Sequence, residues 1–175
     1  RARHRRERHQ EIIRRANVGD VRVAKRDGSD EPFDFAKVVA TIDRLAGEDA
    51  QDVDTDLIIR ELARNIFDGI STRDLEHALL LAVTSYVERD PAYDRVAARL
   101  YRQRLYREVF DEGPDPQTLG ELYRNAFRGG IALGVEEGHF TSRLLDFDLG
   151  LLGERLEVDR DDMLGYVGIQ TLYER

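Results

Sequence analysis

The sequence predicts a mainly α-helical protein with a small β-hairpin near its amino-terminal end, organised in two modules. Val21 and Val23 are two positions apart, as apolar residues on one face of a strand are. The Asp27-Gly28 pair that follows them suits the positive-φ positions of a hairpin turn. Apolar residues then recur at helical spacing in four successive segments. Residues 113–116 read Gly-Pro-Asp-Pro and separate the modules, because two prolines and a glycine stop a helix.

The hairpin is expected to return through Glu31-Pro32-Phe33 and to lead directly into the first helix. Asp34 can cap that helix, since its carboxylate can accept a hydrogen bond from the amides of the first turn. The apolar residues of the buried face are Phe35, Val38, Val39, Ile42 and Leu45. Lys37 falls in the first turn, where the helix dipole disfavours a cation, and Lys25 and Arg26 lie on the hairpin beside it. These cations favour an anionic ligand, and a surface hairpin with solvated lysines is the alternative.

Two further helices follow a polar loop. The second helix carries apolar residues from Leu57 to Ile66, and Gly69 is expected to close it in a left-handed conformation. Ser71-Thr72-Arg73-Asp74 forms a capping-box pattern, with the hydroxyl reaching the amide of Asp74 and the carboxylate reaching back. The third helix begins there, and its broad apolar face predicts a central place in a bundle.

A fourth helix, from Ala92 to about Phe110, leads to the module boundary. One stripe of long polar side chains consists of Arg99, Gln103 and Arg107. We expect this stripe to project a cation toward the hairpin. The exposed side chains that we expect to contact other subunits are Arg102, Arg104 and Tyr106. Arginine and tyrosine are favoured at interfaces, which is the reason for this choice.

Short helices and loops are expected in the second module. Its apolar residues that would be exposed without a partner are Leu151, Leu152, Leu164, Tyr166 and Ile169. We expect them to dock on something outside this chain, and we expect the chain to be part of a longer subunit. The acids Asp161 and Asp162 are adjacent, which is more typical of a solvated face than of a catalytic pair.

Composition and charge limit the function classes. The 175 residues carry a net charge of -8, which disfavours nucleic acid as a partner. Cysteine is absent from the sequence, which removes disulfides and thiol catalysis from this segment. His77 and His139 have no ligand partner at metal spacing, so we assign neither a catalytic residue nor a metal site made of protein ligands alone. Without an apolar run or a signal-peptide pattern, no membrane partner is expected and the cytoplasm is the expected location.

Four motifs, in this order, resemble the ATP-cone, a regulatory nucleotide-binding domain of ribonucleotide reductases and of a related bacterial repressor. They are residues 23–28 (VAKRDG), 33–37 (FDFAK), 68–72 (DGIST) and 97–101 (AARLY). Residues 165–175 (GYVGIQTLYER) resemble the passage that opens the catalytic barrel of class I and II reductase large subunits.

The resemblance implies four segments. Residues 18–111 would form the ATP-cone, a four-helix bundle capped by a short β-sheet, and residues 112–118 would be a linker. Residues 119–175 would begin the helical part of a reductase large subunit. Residues 1–17 are rich in arginine and are expected to be a basic arm, or the tail of a preceding cone.

The resemblance also implies a set of nucleotide-binding residues. They are Val23, Lys25, Arg26, Glu31, Phe33, Asp34, Lys37, Val38, Thr72, Leu75, Glu76 and Arg107. The cations and Thr72 would meet phosphates, Glu31 and Asp34 would read the adenine edge, and the apolar residues would surround the base and sugar. Some relatives have histidine in place of Glu76 and asparagine in place of Asp34, so sugar contacts and the choice between ATP and dATP can differ here.

By the same resemblance, the chain would sense ATP as activator and dATP as inhibitor of overall reductase activity, with Mg²⁺ arriving on the nucleotide. The segment itself would not catalyse. A homo-oligomer and, for a class I enzyme, a radical-generating small subunit are the implied partners. Two alternatives remain: a nucleotide-sensing repressor, which would carry a cysteine-rich zinc ribbon before the cone, and a cone retained as a non-binding interaction module.

Overall fold

The computed structural model describes residues 21–110 and 117–174, which divide into two compact units. The first unit contains the described residues through Tyr101 together with residues 165–174, and the second contains Arg102–Leu164. The predicted basic arm at residues 1–17 lies outside the described residues, as does most of the predicted linker at 112–118. The predicted domain boundaries therefore stay predictions.

A β-hairpin opens the first unit, as predicted. Strand β1 (Arg22–Ala24) pairs antiparallel with β2 (Asp30–Pro32), and Val23 lies opposite Glu31. Gly28 has a φ of 82° in the connecting turn, a conformation that a side chain would disfavour. The side chains of Val23 and Glu31 project to the same face of the hairpin because directly paired residues share a face.

A third strand, β3 (Ile70–Ser71), extends this hairpin into a sheet and was not predicted from the residue pattern. It pairs in parallel with β1, with Ile70 opposite Val23, and it has only two residues. Gly69 precedes it with a φ of 79° and donates its amide to the carbonyl of Arg22 at 2.9 Å. This glycine therefore serves the sheet rather than the end of a helix.

Between residues 21 and 110, four α-helices accompany the sheet. They are α1 (Phe35–Ala46), α2 (Thr55–Ala63), α3 (Thr72–Thr84) and α4 (Pro91–Phe110). A 3₁₀ helix, Gly47–Gln51, follows α1. The predicted fold class, mainly α with a small β element, is confirmed.

The helix starts agree with the predicted caps. The Asp34 carboxylate accepts from the amide of Ala36 at 2.7 Å, and the Ser71 hydroxyl accepts from the amide of Asp74 at 3.0 Å. The Asp74 carboxylate accepts from the hydroxyl of Ser71 at 2.7 Å, so the reciprocal bond of this box goes to the side chain. Both caps fix the direction in which a helix leaves the sheet.

The second helix is shorter than predicted, because it ends at Ala63 and does not continue through Ile66 to Gly69. The side-chain amide of Asn65 donates to the carbonyl of Glu61 at 2.9 Å. Asparagine offers the backbone this local partner in place of the next helical bond, which favours termination.

Aliphatic side chains from β3 and all four helices form the core of the first unit. The largest apolar ones, less than 2% exposed, are Ile42, Ile58, Ile59, Leu62, Ile70, Val83 and Val96. Phe35 and Ile59 pack in one cluster, and Phe33 contacts Phe35 edge to face with ring centres 4.7 Å apart. This cluster lies directly behind the start of α1.

Arg99, one residue of the predicted stripe, joins α4 to the end of α1, and the role predicted for Arg107 of that stripe stays a prediction. Its guanidinium donates to the carbonyls of Leu45 and Ala46 at 2.8 and 3.2 Å. It also donates to Asp49 at 2.9 Å, and Arg95 donates to the same carboxylate at 2.6 and 2.9 Å. The two arginines hold the 3₁₀ helix against α4.

Helix α7 (Tyr166–Tyr173) also belongs to the first unit. The prediction that Ile169 would be exposed is wrong, since it is only 6% exposed. The ring of Tyr166 lies edge to face on Tyr101 at 5.7 Å, and the amide of Tyr166 donates to Asp94 at 3.3 Å. These partners lie on α4, far away in sequence, and give this segment a packing surface within the chain.

The second unit contains α5 (Leu119–Glu136) and α6 (Leu149–Glu154), with 3₁₀ helices at Ser142–Asp146 and Val158–Met163. Leu151 is 52% exposed and Leu152 is 44% exposed. Their exposure agrees with the prediction.

One carboxylate organises the polar interior of the second unit. Asp161 accepts from the hydroxyl of Tyr106 at 2.8 Å and from that of Tyr123 at 3.1 Å. Burial and the neighbouring carboxylate raise the pKa of both tyrosines. Arg102 pairs with Asp162, and its side chain is 17% exposed. The side chain of Arg104 is 21% exposed. The predicted exposure of Arg102, Arg104 and Tyr106 is therefore wrong, while their contact with other subunits stays a prediction.

Candidate functional site

A cavity of about 440 Å³ lies between the hairpin and the first turns of α1 and α3. Its volume falls within the range of roughly 300–1,000 Å³ that is typical of small-molecule sites. The lining residues are Val23, Lys25, Arg26, Asp27, Glu31, Pro32, Phe33, Asp34, Lys37, Val38, Thr72 and Leu75.

Of the predicted nucleotide-binding residues, all except Glu76 and Arg107 line this cavity. Glu76 lies on α3 one position beyond Leu75, and Arg107 belongs to the second unit. Their assigned roles stay predictions. Sequence reasoning missed Asp27 and Pro32, although Asp27 directly follows the Lys25-Arg26 pair and could have been found by that adjacency.

Two helix starts meet at the cavity. Asp34 caps α1 and Lys37 lies in its first turn, while Thr72 is the first residue of α3. Helix α1 has no acidic residue in its first turn, but the carboxylate of its cap, Asp34, offsets part of the positive end of its dipole. In α3 the first turn contains Asp74. Converging helix amino termini favour anions, because the first amides have no acceptor within their own helix.

The two lysines of the cavity share one carboxylate. Glu31 lies 2.7 Å from the ammonium of Lys25 and 3.3 Å from that of Lys37. Hydrogen bonds from the two lysines hold the pKa of Glu31 below its usual value, and the hydrogen bond to Glu31 raises the pKa of Lys25. The structure therefore brings together residues for which the family resemblance implies separate roles, the base for Glu31 and the phosphates for the lysines.

Arg26 differs from both lysines. Its side chain is exposed at the cavity, and among residues 21–110 and 117–174 it has no ion-pair or hydrogen-bond partner. A guanidinium in this state can give two parallel hydrogen bonds to a phosphate without first leaving another partner.

The remaining carboxylates of the cavity are engaged by the backbone nearby. Asp27 accepts from the amide of Ser29 at 2.9 Å and from its hydroxyl at 2.6 Å, and these bonds lower the pKa of Asp27. Asp34 accepts from the amide of Ala36 in the helix cap. Both acids therefore shape the turn and the helix start that border the cavity.

The apolar side of the cavity is backed by the core. Val23 is 5% exposed and Val38 is 7% exposed, while Phe33 rests on the ring of Phe35. Leu75 completes the wall from α3. A flat, largely apolar ring system can pack against such a surface, since its hydrophobic faces then leave water.

Thr72 connects the cavity to the sheet. Its hydroxyl donates to the carbonyl of Ala24 at 3.3 Å, which positions the first turn of α3 against β1. The bond is long for a hydroxyl donor, so this group can exchange the carbonyl for another acceptor at modest cost.

Within the described residues, no group of three or more histidine or acidic side chains could hold a metal ion. No helix of that same part of the chain is long and apolar enough to cross a bilayer.

Comparison with known proteins identifies the family to which the residues around this cavity belong. The ATP cone domain matches residues 21–109. The chain is 32% identical to ribonucleoside-diphosphate reductase subunit alpha of Chlamydia pneumoniae over 122 residues, which cover 70% of this chain and 12% of that protein. It is 30% identical to the Helicobacter pylori alpha subunit over 162 residues, covering 89% of this chain and 19% of that protein. It is 34% identical to the ribonucleoside-diphosphate reductase large subunit of Trypanosoma brucei brucei over 153 residues, which cover 86% of this chain and 18% of that protein.

The chain spans less than a fifth of the length of each of these relatives. The cavity lies entirely within the residues that match the ATP cone domain. The chain belongs to the ATP-cone family, and along most of its length it is related to ribonucleoside-diphosphate reductase alpha subunits.

Proposed function

We propose that this chain is the allosteric domain that sets the overall activity of a ribonucleotide reductase large subunit. It binds ATP as activator and dATP as inhibitor in the cavity between the hairpin and the helix bundle. The observation that carries the proposal is that three cations and two helix amino termini border one cavity that also has an apolar wall.

The phosphates are assigned to the corner formed by Lys25, Arg26 and Lys37. A phosphate placed there receives charge-assisted hydrogen bonds and lies at the positive ends of two helix dipoles. Thr72, at the start of α3, adds a hydroxyl within the same corner.

The base and sugar are assigned to the wall formed by Val23, Phe33, Val38 and Leu75. Asp34 stands beside this wall, and a carboxylate can accept a hydrogen bond from the amino group of adenine. Guanine presents a carbonyl oxygen at the equivalent position and would bring two acceptors face to face. GTP is therefore expected to compete poorly with ATP.

The other parts of the proposal rest on the family. Mg²⁺ accompanies the nucleotide and is held mainly by phosphate oxygens, so removing it with a chelator should weaken binding of the triphosphates. ATP and dATP favour different assemblies of large subunits, or of the large with a radical-generating small subunit, in the cytoplasm. A ligand that bound both assemblies equally would regulate nothing.

Calorimetric titration of the chain with ATP and dATP tests the proposal. Arg26→Ala should weaken both nucleotides by about tenfold, because it removes a charge-assisted contact from the phosphates. Arg60→Ala is the matched control, since Arg60 is an exposed arginine on α2 that does not line the cavity. Equal affinities for the unaltered chain and the Arg26→Ala variant would place the phosphates elsewhere.

One observation favours a second candidate, a cone that serves as an interaction module without a nucleotide. The cations Lys25 and Lys37 are already paired with a carboxylate of the cavity. If titration with ATP, dATP or GTP at millimolar concentration produces no heat of binding, and a competition experiment detects no binding either, the result would favour this candidate.

A further inference from the structure

We propose that Asp94 of α4 controls whether residues 166–173 are helical, because it supplies from another helix the cap that α7 lacks at its own start. The two helices belong to the same compact unit over these residues. Helix α7 is therefore a conditional element, which is helical while it is docked on α4 and unfolds when it is released. This conformational device lies outside the cavity and does not depend on the proposed function.

Helix α7 has little helical stability of its own. It has eight residues, whereas isolated helices shorter than about 12–15 residues are marginal in water. Its interior contains β-branched residues and a glycine, which lower helix propensity, namely Val167, Gly168, Ile169 and Thr171. Its N-cap position is Gly165, which has no side chain to accept from the first amides, and its first turn contains no acidic residue. The helix must therefore be stabilised from outside its own sequence.

The carboxylate of Asp94 occupies the place of the missing cap. Its Oδ1 accepts from the amide of Tyr166, the first residue of α7, at 3.3 Å. Its Oδ2 lies so close to Gly165 that a Cβ added to this glycine would be 2.6 Å away. Gly165 has a φ of -72° and a ψ of 171°, which any residue can adopt, so the glycine is needed for space. A carboxylate at this end of a helix is also favoured by the dipole.

Helix α4 has a different cap of its own. Asp90 accepts from the amide of Ala92 at 2.8 Å at the start of α4. Asp94 lies in the first turn of α4, where a carboxylate is favourable, so the test must separate its effect on α4 from its effect on α7.

Tyr101 holds the remainder of α7 against α4. It is 4% exposed, and its ring contacts those of Tyr166 and Tyr173 edge to face, with centres 5.7 and 6.2 Å apart. Ile169, between those two tyrosines in sequence, is 6% exposed. Asp94 and Tyr101 are separated by about two helical turns and share one face of α4. A rotation of α4 about its axis would displace both contacts together, so a change in α4 is expressed in residues 166–173.

The test is amide hydrogen exchange on the full chain, measured by mass spectrometry for residues 166–173 and, as internal references, for α3 and α4. Asp94→Ala should raise the exchange rate of residues 166–173 about three- to tenfold and leave the references within about twofold. Gly165→Ala should act similarly, because the added methyl group displaces the carboxylate. Glu121→Ala is the matched control: it removes an exposed first-turn acid from α5 and should leave residues 166–173 unchanged.

Two double variants separate capping from other roles of Asp94. In Asp94→Ala with Gly165→Ala, the second substitution should add less than about twofold, because the methyl group no longer meets a carboxylate. In Asp94→Ala with Gly165→Ser, a serine at the N-cap position of α7 itself should return exchange to within about twofold of that of the unaltered chain.

Unchanged exchange of residues 166–173 in Asp94→Ala would overturn the proposal. An equal rise in α3 and α4 would overturn it too, because Asp94 would then serve the whole unit or its own helix. If Gly165→Ser does not restore protection in Asp94→Ala, a cap is not what Asp94 supplies and the proposal fails.

Discussion

Replacing Asp49 by asparagine should destabilise the first unit measurably without touching the cavity. Asp49 lies in the 3₁₀ helix after α1, and its side chain is 12% exposed. It accepts two hydrogen bonds from Arg95 and one from Arg99, both of which lie on α4. Asparagine keeps one acceptor but places an amide donor against two guanidinium groups.

The expected cost is about 1–2 kcal/mol. A hydrogen bond to a charged group contributes roughly 1.5–3 kcal/mol when shielded, but the side chain of Arg95 is 47% exposed, so its share is largely screened. Arg99 keeps its bonds to the carbonyls of Leu45 and Ala46 in the variant, which limits the loss further. For a unit of about this size, 1 kcal/mol corresponds to roughly 4–8 °C in Tm.

The assay is urea denaturation followed by circular dichroism, with Glu48→Gln as the control. Glu48 is an exposed acid one position before Asp49, so the control makes the same change in net charge. Hydrogen bonds from Arg95 hold the pKa of Asp49 below its unfolded value, so its contribution is full above pH 5 and is lost as the pH falls through the folded pKa. The difference between the variant and the unaltered chain should therefore begin to shrink below the pKa of the unfolded state and should vanish only below the folded pKa.

A difference at pH 7 of less than about 0.3 kcal/mol, no larger than that of Glu48→Gln, would refute this account of how α4 holds the end of α1. So would a difference that is as large at pH 3 as at pH 7, because the contribution of an ionised Asp49 must diminish once the pH falls below the pKa of the unfolded state.

Two smaller predictions concern local structure. Ser71→Ala should cost about 1 kcal/mol in denaturation, because it removes the hydroxyl that accepts from the amide of Asp74, and Ser71→Thr should recover most of it. Gly134→Ala should destabilise the second unit by about 1–3 kcal/mol, since the added methyl group would overlap the ring of Phe140; if the substitution has no effect, the ring can swing away freely.

The sequence predicted those parts of the fold that depend on neighbours in the chain. The turn at Gly28, the cap at Asp34 and the box at Ser71 each involve bonds within a few residues, and all three are present. Local bonds of this kind follow from residue type and position, so a pattern of residues is enough to predict them.

Contacts between segments that are distant in the chain could not be predicted from the sequence. Strand β3 has two residues and exists because β1 supplies its partners, which no local pattern reveals. Ile169 looked exposed because its helix has no apolar complement nearby in sequence, but Tyr101 and Asp94 on α4 provide contacts for its segment from about 70 positions away.

The number of cations at the cavity does not by itself show how many of them are available to a ligand. Lys25, Arg26 and Lys37 were correctly expected near one another, and that grouping indicates an anion site only if the three are available to a ligand. Availability depends on which carboxylates are nearby and on what else holds them, and only side-chain geometry supplies that information. Glu31 is held by side-chain bonds from the two lysines, whereas a backbone amide holds Asp34 and both the amide and the hydroxyl of Ser29 hold Asp27. Residue types and spacing are the same for all three acids in kind, so they could not show that two of the three cations already have a carboxylate partner.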